Sequence, residues 1–429
     1  MIFRWRIKTF LDWACSSAIP LSLDSPKEAV QRLSALDDAL MGKRIVYLGE
    51  EDHWVHEKSS YRMLLLRYLL SQGFTVLGEE LGWSDGLRTD QYLKTGDTSF
   101  LERIATYGYK GDRRKDRDEL PQGILKASTD DYPTEAFKAE QLRLVTMLRG
   151  LNENRPPEKR IRFFGFDINA AVGGGYADIQ EQLRPFSSAE VVLRLLSKLD
   201  IVPRETYDKE ILRLREALGL LASGRDNFVA LMGKDRVRAL EQNIQTVQKS
   251  LEYYKIANTA ATYKELNPAM ALRETLMVSH VEYILQTLGK NERLVLMGHN
   301  RHLSKNIFHI QNAGSCPPGG KLVPSLGTSL FQRYPSEIFS IWMLFKSGQS
   351  SLPVKNLNSV YTYHPKHLNA ALSQVGDTFL LPIYNVDSRA HMLKRPMKIT
   401  GIYNLPFRAA LTEQADAVFF TRTVSKLRF

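Results

Sequence analysis

The segment Arg44-Ile45-Val46-Tyr47-Leu48-Gly49-Glu50 is an apolar, β-rich run that stops at a carboxylate no core would accept unpaired. Three further segments share this grammar: Phe74-Thr-Val-Leu-Gly-Glu-Glu80, Arg162-Phe-Phe-Gly-Phe-Asp167 and Arg293-Leu-Val-Leu-Met-Gly-His299. Helical stretches separate them, and Glu135 to Leu151 reads as an amphipathic helix just before the third. Strands alternating with helices require crossover connections, hence a mainly parallel sheet. The runs Ile338–Phe345, Thr378–Ile383 and Ala417–Arg422 extend it. Between Tyr176 and Leu288 apolar residues recur at helical spacing (Val191, Leu195; Ile211, Leu214, Leu218, Leu221) with no strand-like run, which predicts an inserted helical bundle.

The expected fold class is therefore α/β: a mainly parallel central sheet flanked by helices, with a helical bundle insertion capping the carboxyl ends of the strands. The expected division is 1–175 and 291–429 as two parts of one α/β core, with 176–290 as the cap. Residues 109–132 are polar and charged and read as a long mobile loop, with a lid and a plain insertion both open.

Composition narrows the function. A chain of 429 residues with 24% charged and 43% hydrophobic residues is neither disordered nor a disulfide scaffold. The net charge of +11 is diffuse, and in the basic cluster Arg113, Arg114, Lys115, Arg117 the acids Asp112, Asp116, Asp118 and Glu119 interleave, so nucleic acid is not an expected partner. Cys15 and Cys316 form no paired framework or metal clip, and no apolar run approaches the roughly 18 residues of a membrane span. A cytoplasmic protein with a docked N-terminal helix and no membrane partner is the expectation.

In an open parallel sheet, ligands bind beyond the carboxyl ends of the strands. Glu50, Glu80, Asp167 and His299 end the four strands there, each preceded by a glycine (Gly49, Gly78, Gly165, Gly298) that lets neighbouring backbone approach. The densest stretch is Gly49-Glu50-Glu51-Asp52-His53-Trp54-Val55-His56-Glu57. His53, near a strand end with a carboxylate beside it, has the components of a general base; an ordinary surface loop rich in acids and histidines fits the stretch equally well. Glu51 and His56 read as solvated neighbours. In Gly298-His299-Asn300-Arg301-His302 either histidine could complete a site with His53 or be a satisfied structural group. The histidine spacing matches no HExxH or zinc-finger rule, no G-x-S-x-G, G-x-G-x-x-G or Walker pattern occurs, and the run Gly173-Gly174-Gly175 is followed by no GK, which disfavours a serine hydrolase and a nucleotide enzyme.

At these residues the sequence resembles the erythromycin esterase family, which includes macrolide-lactone hydrolases and proteins labelled succinoglycan biosynthesis. Gly49, Glu50, His53, Glu57 and Arg62 match its opening G-E-x-x-H pattern with a following acid and base. Glu80 with Trp83, Asp167 in its G-x-D element, Arg273-Glu-Thr-Leu-Met277 and His299-Asn300-x-His302 follow in the family's order, over roughly residues 10 to 390. The resemblance implies hydrolysis of an ester or lactone of a bulky, largely apolar small molecule by an activated water. It makes His53 the general base and Glu50 its orienting carboxylate. Glu80 and His299 join them as catalytic groups, and Glu80, Arg62, His299 and His302 bind or polarise the carbonyl. Trp54, Glu57, Asp167 and Arg273 are further substrate-binding candidates. Trp54 stands where the family usually has glycine, so the pocket beside the base differs. Two other readings remain: a biosynthetic tailoring enzyme using the same groups for dehydration, cyclisation or rearrangement, and a catalytically idle binding protein. No cofactor or obligatory metal is expected; the alternative is one divalent ion held by His53, His299, Glu50 and Glu80.

Overall fold

The structure is a computed structural model describing residues 2–104, 134–169, 172–199, 206–312, 323–351, 359–362, 364–401 and 405–428. The predicted loop 109–132, with its basic cluster, and Cys316 lie outside the described residues. The chain forms an α/β protein whose strands are β1 (Ile19–Pro20), β2 (Ile45–Glu50), β3 (Phe74–Gly82), β4 (Arg162–Asp167), β5 (Arg293–His299), β6 (Gln311–Asn312), β7 (Ile338–Gln349), β8 (Val360–Tyr361), β9 (Thr378–Pro382), β10 (Met397–Thr400), β11 (Pro406–Ala409) and β12 (Ala417–Val424). The described residues form two compact units, drawn from Met1–Glu80, Ser128–Arg162 and Ile284–Phe429, and from Leu81–Ala127 and Phe163–Tyr283.

In the first unit the strands run in the order β1-β9-β12-β7-β2-β5-β3. The pairs β2/β5, β2/β7, β3/β5 and β7/β12 are parallel, whereas β9 and β1 join antiparallel at one edge. All six residues of β2 are buried, as befits a central strand covered on both faces. The helix Ile2–Ser17 contributes Phe10, Trp13 and Ala14 to a core with Trp342, Leu344, Phe379 and Phe420, which is the docked N-terminal helix the sequence suggests. A small antiparallel sheet β10-β11-β6 completes this unit.

The second unit is predominantly helical: Trp83–Thr95, Val172–Leu183, Glu190–Leu199, Tyr207–Ser223, Arg225–Met232, Lys234–Ala257 and Tyr263–Thr287 are its longer helices, the last ending in the first unit's segment. The residues Leu195, Ile211, Leu214 and Leu221, singled out by spacing, are all in its core with Ile244, Leu251 and Leu276. At Gly165 the backbone approach is real: a Cβ there would lie 2.2 Å from the Gly82 carbonyl oxygen.

Candidate active site

Parallel pairing of β2 with β5 places Glu50 opposite His299 and Gly49 opposite Gly298. Two strand ends far apart in sequence thus deliver a carboxylate and an imidazole side by side. Gly49 is needed for a different reason from a backbone approach. A Cβ there would come within 2.3 Å of Asn300 Oδ1 and 3.1 Å of Trp342 Cδ1.

His53 lies in the turn after β2, and its Nδ1–H donates to Glu50 Oε1 at 2.7 Å. The Glu50 side chain is 1% exposed and the His53 ring 31%. No bond to His53 Nε2 occurs among the described residues, so that nitrogen is the open one. Glu50 Oε2 is 2.7 Å from Arg62 Nη2, and Lys58 Nζ is 4.0 Å from Oε1. Burial by itself would raise the Glu50 carboxyl, but Arg62, Lys58 and His53 outweigh it and hold it at about 2. The carboxylate is thus charged at neutral pH and fixes His53 in the tautomer whose Nε2 can accept a proton.

Lys58 and Arg62 reach Glu50 together because they stand four residues apart on one face of the helix His56–Ser71. Arg62 continues to β3, where Nη1 donates to Glu79 Oε1 at 2.5 Å. Gln141 Nε2, from the helix Thr134–Glu153, meets the same oxygen at 3.3 Å. Arg62 is 2% exposed and clasped between two carboxylates. Both of these carboxylate partners are themselves buried.

Successive strand residues face opposite ways, so Glu80 does not share the environment of Glu79. Glu80 Oε2 accepts the backbone N–H of His299 at 2.8 Å, and Oε1 lies 3.2 Å from His302 Nε2. The His299 ring sits 5.3 Å from that of His53, centroid to centroid. Its Nδ1 accepts the Arg301 backbone N–H at 3.2 Å, which assigns the ring proton to Nε2; that N–H donates to the Glu51 carbonyl at 3.1 Å. Burial, with His53 alongside, depresses His299 to about 3, so it is neutral at physiological pH. Glu50, His53, Arg62, Glu80, His299 and His302 therefore form one connected cluster in the first unit.

The other candidates have different partners. Glu57 accepts the backbone N–H and hydroxyl of Ser425 at 2.7 and 2.8 Å, fastening the segment after β12. Trp54 packs on Phe137 with ring centroids 4.8 Å apart. Asp167 and Arg273 pair bidentately with each other in the second unit, at 2.8 and 2.5 Å. Trp83 is there too, stacked on the buried His280 and donating to Asn243 Oδ1 at 2.6 Å. Glu51 and His56 are not the solvated neighbours their sequence suggests: Glu51 is buried and accepts from Asn300 Nδ2 at 2.8 Å, and His56 Nδ1–H donates to Glu140 Oε1 at 2.5 Å.

Lys58, Glu79, Glu140 and Gln141 escaped the sequence reading. A signal was present, since Lys58 and Arg62 fall in the apolar stripe of Tyr61, Leu65 and Leu69, and Glu140 and Gln141 in that of Phe137, Leu144 and Leu148. Charged residues on a buried stripe must find partners.

The set His53, His299, Glu50, Glu80 does not suit a divalent ion. Glu50 is committed to Arg62 and His53, Glu80 to His299 and His302, and both nitrogens of His299 are bonded. Among the described residues no group of three or more His, Cys, Asp or Glu is arranged to hold a metal ion. No described helix is long and apolar enough to cross a membrane.

The family profile for erythromycin esterase matches residues 70–424, most of the chain. The chain belongs to the erythromycin esterase family. The erythromycin esterase type II of Escherichia coli is 21% identical over 342 residues, covering 73% of each protein. Among solved structures, a Bacillus cereus protein superposes with a TM-score of 0.70 at 20% identity over 99% of both chains. A mutant erythromycin esterase in its open conformation gives 0.66 at 17% identity, over 95% of this chain and 97% of that one. At such identities the structural likeness speaks for the erythromycin esterase fold, an α/β architecture with a mostly parallel central sheet, as the strand pattern predicts.

Proposed function

We propose that this member of the erythromycin esterase family hydrolyses an ester or lactone of a bulky natural product, with His53 as the general base. The observation that carries the reading is the fixed dyad: His53 Nδ1 bound to a buried, charged Glu50, with Nε2 open beside it. A carboxylate in this position stabilises the imidazolium formed when Nε2 takes a proton from water, the role an orienting acid plays in serine hydrolases. Among the described residues no serine bonds to His53, so water itself is the nucleophile in this reading. The neutral His299 ring adjoins His53, and His302, held by Glu80, is the candidate donor to the developing oxyanion. Arg62 and Glu79 position Glu50 from behind.

The macrolide class is supported by the family and by the names of the curated relatives, and Trp54 against Phe137 adds an aromatic surface next to the base in sequence. The test is incubation of wild type and His53→Ala with a panel of macrolactones and acyclic esters, followed by mass spectrometry. Hydrolysis adds one water to the substrate mass; an unchanged mass with altered retention signals isomerisation or cyclisation instead. A folded His53→Ala variant with wild-type turnover would remove His53 from the mechanism.

A further inference from the structure

Three residues beyond His53, the chain repeats the same construction. His56 Nδ1–H donates to Glu140 Oε1, and Glu140 is 1% exposed. The backbone N–H of Arg428 donates to the same oxygen at 3.1 Å, and Arg143 Nη1 is 3.8 Å from Oε2. Burial alone would raise the Glu140 carboxyl; the bonds from His56 and Arg428 lower it instead. The His56 side chain is 17% exposed, and no bond to its Nε2 occurs among the described residues. Both imidazoles thus turn Nδ1 to a buried, immobilised carboxylate and leave Nε2 open.

The two dyads are held near each other. Residues three apart are separated by no more than about 11 Å between Cα atoms even in a fully extended chain. The intervening backbone is fastened, with Trp54 N–H donating to Asp52 Oδ1 at 2.7 Å and Val55 bridged to Lys426. The carboxylates arrive independently, Glu50 from β2 and Glu140 from the helix Thr134–Glu153. A histidine needed only to fasten that helix would not require its partner to be buried, oriented by a main-chain N–H and stripped of water, at the cost such desolvation carries.

Ester hydrolysis moves two protons, one from the attacking water and one onto the departing oxygen, and a single open imidazole nitrogen serves one of them at a time. We propose that His56, oriented by Glu140, is the general acid of the reaction whose base is His53. The inference rests on the hydrolytic reading of the His53 site. As the water oxygen forms the new C–O bond, His53 Nε2 takes its proton; as the old C–O bond breaks, the His56 imidazolium gives its Nε2 proton to the leaving oxygen. Acid and alcohol are released, His53 loses a proton to solvent and His56 regains one. One water is consumed, and no other reactant is needed.

Dependence on the leaving group separates this role from a purely structural one. An alkyl alcohol must be protonated as it leaves, whereas para-nitrophenolate leaves unaided. Wild type, His53→Ala, His56→Gln and Glu140→Gln are assayed on the alkyl and para-nitrophenyl esters of one acid, with thermal melts to confirm folding. The ratio of para-nitrophenyl to alkyl kcat is expected to rise roughly 30- to 100-fold in His56→Gln, and about 10-fold in Glu140→Gln, which keeps the imidazole and serves alone if His56→Gln does not fold. An unchanged ratio, whether the rates fall together or not at all, overturns the assignment of His56. Absence of turnover by wild type, or full turnover by His53→Ala, overturns the hydrolytic reading itself, and this inference with it.

Discussion

Replacing Glu50 by glutamine keeps the shape of the side chain and removes its charge, and the neighbours dictate how the amide must sit. Arg62 has donors only, so the amide oxygen has to face Arg62 Nη2, which stands 2.7 Å from the carboxylate in the wild type. The amide NH2 then faces His53 Nδ1, which is 2.7 Å from the other oxygen. Nδ1 is forced to accept, the ring proton moves to Nε2, and the atom assigned to take a proton from water already carries one. The same tautomer reversal in a serine protease triad costs about ten-thousand-fold in kcat. We expect Glu50→Gln to lose about a thousand- to ten-thousand-fold, or about 4 to 5.5 kcal/mol of transition-state stabilisation. Stability should change with a defined sign. The Glu50 carboxyl is held at about 2, below its ordinary 4.5, so its contribution of about 3 kcal/mol is complete above pH 4.5 and disappears as pH falls towards 2. Urea denaturation of wild type and Glu50→Gln should therefore differ most near pH 7 and converge in acid. Ester turnover followed at constant pH supplies the kinetic arm. Activity of Glu50→Gln within tenfold of wild type would refute the tautomer argument, and a stability gap that widens on acidification would refute the charge argument.

Arg62→Met removes the guanidinium that Glu50 and Glu79 share and leaves Lys58, 4.0 Å from Glu50, as the nearby cation; breaking a buried pair of this kind should cost about 3–5 kcal/mol by urea denaturation. Gly49→Ala drives a methyl group against Asn300 and Trp342 and should destabilise by about 1–3 kcal/mol, read from the same titration. His299 is depressed to about 3, below its ordinary 6.5, so it disfavours the folded state increasingly as pH falls from 6.5 towards 3. His299→Asn should accordingly show a shallower loss of stability over that window, measured by thermal melts at stepped pH. Asp167→Asn weakens the bidentate pair with Arg273 and is expected to lower stability, read from urea denaturation.

The strands were legible because each is a local pattern: an unbroken apolar run closed by a polar residue. β2, β4, β5 and β12 fall within two residues of where their sequences place them, β7 starts as expected at Ile338 but runs on past Phe345 to Gln349, and the pairing of Glu50 with His299 follows once β2 and β5 are neighbours. β3 runs on through Leu81 and Gly82 beyond the expected end at Glu80, because its apolar character resumes after the two glutamates. That pair was also the hardest to read. Period-two alternation sends adjacent side chains to opposite faces, and only the partners, Arg62 for one and His302 for the other, distinguish them. β9 is antiparallel, which no local pattern reveals, since strand direction depends on the route of the preceding connection. His56 and Glu51 looked solvated because acids and histidines in a loop have no periodicity to betray burial; their partners, Glu140 and Asn300, lie 84 and 249 residues away.

The strand order carries a consequence for biosynthesis. β2 is made early, yet its neighbours β5 and β7 are translated only after the whole helical segment. Until then the ribosome presents a six-residue ribbon, every side chain destined for the interior, with both edges bare. A message truncated before β5 and β7 would release a fragment whose apolar β2 edges are prone to aggregate.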